Sequence, residues 1–313
     1  MKSELIDTIE VGNTLGEGVT WDPRTGQLWW VDIQQSKLYR LTYASRDVEI
    51  FPHPERLGSF GLTDDPAVLI CAFASGFALY HPEINVRDSL IAIEPEYAGT
   101  RMNDGRLDRQ GRFFAGSMIE SDVSTPPEGC GLYSIESGDV KQHFTDVSIA
   151  NGLSWSTDGS RVYFADSPKQ TIWCFDYDVI KGVLLNRRIF ATTEGNCYPD
   201  GATVDAADHY WSAKWGAAKL VRYSPNGEID YQLSVDAPHT SCVEFGGPEM
   251  DILFVTSAKQ ELTAEQLEAA PNSGHLFIYQ TDIKGIEQDN YYPASALQDN
   301  SCLALFPLYL FDR

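Results

Sequence analysis

Cationic side chains are scarce in this sequence of 313 residues, which has 23 lysines and arginines against 45 aspartates and glutamates. The formal net charge of −22 repels phosphate backbones and anionic lipid headgroups. We therefore expect neither nucleic acid nor a membrane surface as a partner. An acidic surface also attracts cations, so a divalent metal stays among the candidate ligands.

Zinc-type cysteine clusters and export signals are also missing. The six cysteines form no Cys-x-x-Cys pair, and we expect them to be reduced thiols. The N-terminal residues 1–7 carry acids where a signal peptide needs an apolar run. The longest apolar stretches, residues 67–80 and 302–311, are too short to span a bilayer. The sequence thus predicts a cytoplasmic protein that does not enter a membrane.

Helix-forming segments are few. Only residues 257–270 combine good helix formers with an N-cap residue, Thr263. Elsewhere short β-type runs alternate with Gly and Asp turns, as in Leu28-Trp29-Trp30-Val31-Asp32. We expect an all-β chain with one helix inserted near its end.

A strand, a polar turn and a second apolar strand recur six times along the chain. The first copy begins Glu17-Gly18-Val19-Thr20-Trp21-Asp22, and a later one reads Asn151-Gly152-Leu153-Ser154-Trp155-Ser156. The copies start 41 to 49 residues apart, at Glu17, Phe60, Asn103, Asn151, Asp200 and Ser241. Most copies add a third strand in which apolar and polar residues alternate, as expected for a half-buried strand.

Units of this length with several short strands are typical of propeller blades. We therefore predict a single domain over residues 1–313, a six-bladed β-propeller with four-stranded blades around a central channel. Two β-sandwiches in tandem would leave the repeat period unexplained. A tail from about residue 289 has an apolar end, residues 303–311, expected to pack on the propeller or on a second subunit. The sequence leaves monomer and homodimer open.

The first position of each copy is expected at one mouth of the channel, because the innermost strands of a propeller run along it. Four of these positions carry a side-chain oxygen: Glu17, Asn103, Asn151 and Asp200. Two carboxylates and two amides are hard-oxygen ligands, suited to calcium, magnesium or manganese. Asn and Asp also favour turns for backbone reasons, so turn formation is the competing explanation at each position.

The same residues belong to longer motifs. The chain contains, in order, Leu15-Gly16-Glu17-Gly18, Arg101-Met102-Asn103-Asp104-Gly105, Ala115-Gly116-Ser117-Met118, Ala150-Asn151-Gly152-Leu153, Tyr163-Phe164-Ala165-Asp166-Ser167, Tyr198-Pro199-Asp200-Gly201 and Phe245-Gly246-Gly247-Pro248. This combination, over about residues 10–283, resembles the senescence marker protein/gluconolactonase family, which includes regucalcin. The resemblance implies a six-bladed propeller with one catalytic divalent cation in its channel (calcium, manganese, zinc, magnesium or iron), and hydrolysis of an aldonolactone.

Carried over residue by residue, the resemblance makes Glu17, Asn151 and Asp200 the metal ligands. Asp200 also matches the residue assigned as general base or proton shuttle, and Arg101 and Asn103 match the substrate-contacting pair. Hydrolysis would then follow from a cation that polarises the lactone carbonyl and a carboxylate that accepts a proton from water.

One position departs from the family pattern. The lactonases most like regucalcin have a carboxylate three residues after Met118, where this chain has Ser121. Glu120 is adjacent and is a further candidate for substrate contact, and Asp122 follows. Neighbours on a strand point to opposite faces, so the sugar contact and the identity of the sugar stay open.

Aromatic and histidine side chains near the repeats have simpler explanations. Trp21, Trp155 and Trp211 are expected in the core between blades. Trp215 directly follows a blade strand and is a candidate for the channel rim, although a core position is favoured. For His239, just before the sixth copy, a surface or packing role is favoured over a role as a ligand.

Two other functions share these features. An esterase or organophosphate hydrolase would use the same metal site, and a non-catalytic calcium-binding propeller would present a surface to partners. No Gly-x-Ser-x-Gly motif points to a covalent nucleophile. A scaffold needs neither Asp200 nor Arg101 in its channel, which favours hydrolysis.

Overall fold

The computed structural model describes residues 1–121 and 123–293, most of them in short antiparallel strands joined by turns. The strands are β1 (Ser3–Ile9), β2 (Gly16–Asp22), β3 (Gln27–Asp32), β4 (Lys37–Thr42), β5 (Val48–Pro52), β6 (Leu57–Leu62), β7 (Leu69–Phe73), β8 (Gly76–His81), β9 (Val86–Ala92), β10 (Thr100–Leu107), β11 (Phe113–Ile119), β12 (Cys130–Glu136), β13 (Asp139–Val147), β14 (Ala150–Trp155), β15 (Arg161–Asp166), β16 (Thr171–Asp178), β17 (Val183–Thr192), β18 (Tyr198–Val204), β19 (Tyr210–Trp215), β20 (Lys219–Tyr223), β21 (Ile229–Ser234), β22 (His239–Gly246), β23 (Ile252–Ala258) and β24 (Leu276–Thr281). One α-helix, α1 (Ala264–Ala269), and two single 3₁₀ turns, Pro82–Ile84 and Ser167–Lys169, accompany them. The chain is all-β, as predicted.

The strands pair mainly with their neighbours in sequence. Four sheets contain four consecutive strands each: β2 to β5, β6 to β9, β10 to β13 and β14 to β17. A sheet of eight strands has the order β1-β24-β23-β22-β19-β20-β21, with β18 beside β19. In this sheet β19 and β22 are paired at a single residue pair, Trp215 with His239, which joins its two groups of four strands. Several four-stranded antiparallel sheets of this kind are consistent with a β-propeller.

Each copy of the repeat starts on a different strand: β2, β6, β10, β14, β18 and β22. These six inner strands contact one another in chain order, and β22 contacts β2 in turn. At the outside, β1 pairs with β24, so the N-terminal strand completes the last group of four. The starts of the six copies are thereby gathered around one centre.

Large apolar side chains fill the space between neighbouring sheets. Trp21 stacks on Phe254 with ring centroids 5.8 Å apart, and Phe114 meets Trp155 at 5.0 Å. Trp21, Trp155 and Trp211 are at most 4% exposed, which confirms their predicted core positions. Truncation of such a side chain to alanine typically costs about 3–5 kcal/mol, so these contacts fix each sheet against the next.

The helix is shorter than predicted. Only Ala264–Ala269 is helical, whereas Ser257 and Ala258 belong to β23 and pair with β22. The prediction was wrong for the first part of its segment because ladder hydrogen bonds with a neighbouring strand outweigh local helix propensity. Thr263 is the N-cap as predicted: its hydroxyl accepts from the Gln266 N–H at 3.2 Å, and Gln266 Oε1 accepts from the Thr263 N–H at 2.8 Å.

Some predictions concern the end of the chain. The apolar tail end, residues 303–311, and Cys302 lie outside the described residues, as does Asp122. The other five cysteines are free thiols, as expected. Among the helices of the described part, none has the length and hydropathy needed to cross a membrane.

Strand β19 carries a fully buried lysine. Lys214 Nζ donates to Ser212 Oγ at 2.9 Å and lies 5.0 Å from the centroid of the Tyr223 ring. No carboxylate forms an ion pair with it within the described residues. Burial therefore lowers the pKa of Lys214 to about 7.

We expect Lys214→Met to stabilise the protein at pH 6 by about 3–5 kcal/mol, with a smaller gain at pH 9.5. The unfolded lysine binds more protons than the folded one between about pH 7 and 10, so the cost of burial is complete below pH 7 and fades as pH rises. Urea unfolding of the metal-free protein at both pH values measures this. Lys219→Met, at the half-buried position paired with Lys214, is the control. An equal gain at the two pH values would contradict the explanation.

Candidate functional site

A cavity of about 540 Å³ lies where the inner strands begin, a volume typical of small-molecule sites. The four oxygen-bearing positions predicted from the repeat, Glu17, Asn103, Asn151 and Asp200, all line it. Each is at most 8% exposed. We call these four side chains the inner layer.

A second layer of the wall comes from the positions two residues earlier in each copy. Five of these six positions line the cavity: Leu15, Arg101, Ile149, Tyr198 and His239. Strand residues two apart point to the same face, so the repeat places this outer layer directly beside the inner one. The remaining position, in the second copy, is Gly58, which has no side chain.

Two aspartates at the ends of second strands hold segments of the outer layer in place. Asp32 accepts backbone N–H groups from Thr14 at 2.7 Å and Leu15 at 3.2 Å. Asp166 accepts from Ser148 at 2.9 Å and Ile149 at 3.0 Å. In both copies a carboxylate thus fixes the backbone just before the inner strand, β2 or β14, begins.

Glu17 and Asp200 are neighbouring carboxyl groups, both buried in the cavity wall. Burial raises the pKa of Glu17, and the charge of Asp104 adds to this. The pKa of Asp200 is raised well above its ordinary value. Burial is the larger cause, and the charge of Glu17 is the second. Two such groups lose their mutual repulsion when a cation lies between them.

The two amides are oriented by their own donors. Asn151 Nδ2 donates to Ser167 Oγ at 2.8 Å, and Ser167 Oγ donates to the Pro199 carbonyl at 2.7 Å. Asn103 Nδ2 donates to the Ala150 carbonyl at 2.9 Å and approaches Asn151 Oδ1 at 3.3 Å. These contacts identify the donor and acceptor ends of the Asn151 amide, which lines the cavity.

Arg101 is a buried guanidinium in the cavity wall. Its Nη1 donates to the Met102 carbonyl at 3.0 Å and to Asn103 Oδ1 at 2.7 Å, and its Nε donates to Glu120 Oε1 at 3.2 Å. Nη2 makes no hydrogen bond to any described residue. Three protein contacts thus fix the group while one nitrogen is left for a ligand.

Glu120 lies behind Arg101 and does not line the cavity. It accepts from Arg101 and from Arg56, including a bond of 2.7 Å from Arg56 Nη2. Ser121 is also absent from the part of the wall that the structure describes. This arrangement orients Arg101, and a contact of Glu120 with substrate stays a prediction.

The opposite end of the inner strands is filled by polar side chains. Arg106 Nη1 donates to Glu244 Oε2 at 2.6 Å, and its Nη2 donates to the Ala202 carbonyl at 2.7 Å. Gln288, from the segment after β24, donates to Glu244. Asp104, between these groups and the cavity, has a pKa raised by burial. Its charge adds to the negative potential at Glu17 and Asp200.

A divalent cation fits the inner layer. No group of three or more His, Cys, Asp or Glu side chains is arranged for a metal within residues 1–121 and 123–293. The donor set here is instead two carboxylates and the Asn151 amide, all oxygen, which hard cations such as calcium prefer, whereas Asn103 Oδ1 already accepts from Arg101. Two repelling buried carboxylates beside a cavity are also what a cation stabilises.

Comparison with known proteins identifies the family. Residues 15–259 match the family model described as SMP-30/Gluconolactonase/LRE-like region. The chain belongs to this family. An L-arabinolactonase from Azospirillum brasilense is 37% identical to it over 278 residues, which cover 88% of this chain and 91% of that protein. A 6-deoxy-6-sulfogluconolactonase from Pseudomonas putida is 30% identical, with 91% and 97% covered.

Solved structures of the family have the same fold. A calcium-binding protein, regucalcin, from Agrobacterium tumefaciens superposes with a TM-score of 0.86 and 28% identity, covering 92% of this chain and 97% of that one. A luciferin-regenerating enzyme gives a TM-score of 0.83 at 25% identity, with 93% and 99% covered. The neighbours thus extend over nearly the whole of both chains.

The sequence motifs predicted five residues of the cavity wall: Glu17, Arg101, Asn103, Asn151 and Asp200. They did not predict several other residues that line it. Tyr198 and Ile149 occupy outer-layer positions, which the period of two along each strand would have identified. Gln260, Glu261 and Gln266 come from the segment between β23 and β24 and also line the cavity. No repeat relates that segment to the others, so the sequence held no signal for them.

Gly58 occupies the outer-layer position of the second copy. Strand β10 lies too close to this position for a side chain. A Cβ there would lie 2.6 Å from the Met102 carbonyl oxygen and 2.8 Å from that of Asn103. We expect Gly58→Ala to lower the free energy of unfolding by about 1–3 kcal/mol. It should also displace β10, which carries Arg101, and lower kcat/KM about tenfold.

Gly61→Ala on the same strand is the matched control. Its Cβ would meet Leu107 side-chain atoms at 2.9 Å rather than backbone atoms. We expect a similar loss of stability without the kinetic defect. Equal kinetic effects in both variants, measured with urea unfolding and steady-state rates, would rule out the proposed displacement of β10.

Proposed function

We propose that this protein hydrolyses a sugar lactone to the aldonic acid, with a divalent cation held by Glu17, Asn151 and Asp200. The observation that carries the proposal is that the buried carboxyl groups of Glu17 and Asp200 and the buried guanidinium of Arg101 line one cavity of small-molecule size. The family relatives named as lactonases support the reaction class, which is hydrolysis of a carboxylic ester bond. The regucalcin neighbour, a calcium-binding protein, supports the cation.

We propose further that the fold is a single six-bladed propeller. The four separate sheets supply four groups of four strands, and the eight-stranded sheet divides at the Trp215–His239 pair into two more. The circular contacts of the inner strands support this count, because β22 contacts β2. Six blades would place the third copy opposite the sixth across the channel.

Each residue has a distinct part in the reaction. The bound cation would supply Lewis acidity toward the lactone carbonyl. Asp200 accepts a proton from the attacking water, so it must be ionised when substrate arrives. Arg101 Nη2 donates to a ring or exocyclic oxygen, and Asn103 keeps Arg101 in place through its Oδ1 contact. The buried walls exclude bulk water from the ester. Asp200 holds the water molecule that attacks it.

Proton release from a panel of aldonolactones tests the proposal. Metal-stripped protein is reloaded separately with calcium, manganese, zinc, magnesium and ferrous iron, and rates are corrected for spontaneous hydrolysis. The lactone of L-arabinonic acid is the first substrate to try, since a relative at 37% identity is an L-arabinolactonase. We expect metal-dependent acid production on at least one sugar.

The alternatives give different results in the same assay. Turnover of aryl esters or organophosphates without turnover of any lactone would make the protein a different hydrolase of this metal site. Folded protein that binds calcium but hydrolyses nothing would be a binding propeller. Either result would overturn the proposed reaction.

A further inference from the structure

Two aromatic rings form one side of the cavity. Trp215 and His239 stack with ring centroids 4.0 Å apart and an angle of 12° between the ring planes. They also form the backbone pair that joins the two halves of the eight-stranded sheet. Both line the cavity, and His239 is only 8% exposed. The stack is therefore a rigid part of the wall, held by backbone and side-chain contacts together.

The contact of His239 with Gln260 fixes which ring nitrogen carries the proton. His239 Nδ1 lies 2.9 Å from the Gln260 carbonyl oxygen, which can only accept a hydrogen bond. Nδ1 therefore donates, and Nε2 of the neutral ring is an acceptor. Nε2 has no hydrogen-bond partner in the described part of the chain, and burial lowers the pKa of His239, which favours the neutral ring.

The outer layer offers complementary groups on two sides. Arg101 belongs to the third copy and His239 to the sixth, which face each other in the six-bladed arrangement proposed above. Arg101 Nη2 is a donor, whereas His239 Nε2 is an acceptor. A ligand whose carbonyl lies at the inner layer between them meets a donor on one side and an acceptor on the other.

The charges of the wall select against anionic ligands. Arg101 is the one permanently cationic side chain in the described wall, and its charge is already opposed by Glu120. Glu261 contributes a carboxyl group to the same wall, and the charges of Glu17 and Asp200 are those that the proposed cation would balance. An anionic group on a substrate would find no cationic side chain other than Arg101 in the described wall, whereas a hydroxyl beside His239 would find an acceptor.

We infer that His239 is a specificity-determining residue that accepts a hydrogen bond from a hydroxyl at the end of the lactone remote from its carbonyl, so that the substrate is a neutral, hydroxylated aldonolactone. This inference rests on the proposed lactonase function. In this arrangement the Trp215–His239 stack selects the substrate. The inner layer carries out the reaction.

The test compares an aldono-1,4-lactone that carries an exocyclic hydroxyl with its deoxy analogue, using the metal-loaded wild type, His239→Phe and His239→Gln. Phe retains a flat ring for stacking but no acceptor, whereas the Gln amide oxygen supplies an acceptor near the position of Nε2. We expect His239→Phe to lower kcat/KM about tenfold on the hydroxylated lactone, through KM, and to leave the deoxy lactone within about twofold. His239→Gln should retain most of the preference.

The outcomes separate the inference from the function on which it rests. Equal losses on both lactones, or no loss on either, would overturn the role of His239 while lactonase activity stood. Wild-type protein inactive on every lactone would overturn the proposed function, and the inference with it. If circular dichroism shows that His239→Phe is unfolded, His239→Met provides the same comparison, since its thioether is only a weak acceptor.

Discussion

Asp200→Asn is expected to lower turnover of the best lactone by at least about 10³-fold. The substitution removes a carboxylate ligand and the group proposed to accept the proton of the attacking water, and loss of a general base alone typically costs 10²–10⁴-fold. The amide has nearly the same shape, so packing around β18 is retained. Steady-state rates with saturating metal, together with metal binding measured by calorimetry, check this.

The same variant should be more stable than wild type when both are free of metal. Because the pKa of Asp200 is raised in the folded protein, the unfolded state gains ionisation that the folded state lacks, and stability is lost as pH rises above the ordinary value of 3.8. Asparagine has no such cost. We expect a gain in the free energy of unfolding at pH 7 that shrinks toward pH 4, measured by urea unfolding in the presence of a chelator.

Asp139→Asn is the control for this prediction, since it removes the same charge from the exposed start of β13. It should leave both turnover and the pH dependence of stability unchanged. An Asp200→Asn variant that is inactive but no more stable than wild type at pH 7 would show that repulsion within the carboxyl pair is relieved in some other way.

Arg101→Met is expected to lower kcat/KM by about 10²–10³-fold, the loss typical of a removed preorganised donor. Arg101→Lys should rescue little of it. A lysine has one nitrogen, and it would have to replace Nη1 at Met102 and Asn103, Nε at Glu120, and the free Nη2 at the same time. The lost alignment of Asn103 adds to the defect.

Rates on two lactones of different size, with thermal unfolding of each variant, measure this effect. The matched control is Arg187→Met, which removes an exposed guanidinium that stacks on Trp173 outside the cavity. We expect no change in its kinetics. If Arg101→Lys retained wild-type kcat/KM, the planar guanidinium would be unnecessary and a point charge would suffice.

Much of the inner layer follows from the repeat. Glu17, Asn103, Asn151 and Asp200 share one position in four copies, and the structure brings all four into one cavity. The family match at residues 15–259 accords with the motifs that contain them. Periodicity translates into position here because each copy forms the same group of strands. Their assignment as ligands and base stays a prediction.

Glu120 shows what the motifs leave out. Its place next to the Gly116-Ser117-Met118 motif suggests a substrate contact, but Arg56, 64 residues earlier in the chain, holds the carboxylate behind Arg101. Ion pairs between distant loops leave no periodic trace in a sequence. The helix prediction failed at its start for a related reason, since pairing of β23 with β22 decided the structure there.

The sequence by itself determined the all-β repeat, the spacing of its copies, and the oxygen-bearing residues that meet at the inner layer, because identical units place equivalent residues alike. Only the tertiary structure decided how these residues are held and what surrounds them. The stack of His239 on Trp215, the tautomer set by the Gln260 carbonyl and the closure of the far end by Gln288 each join segments that no repeat relates. Such contacts depend on the approach of whole strands and loops in space, which local periodicity does not encode.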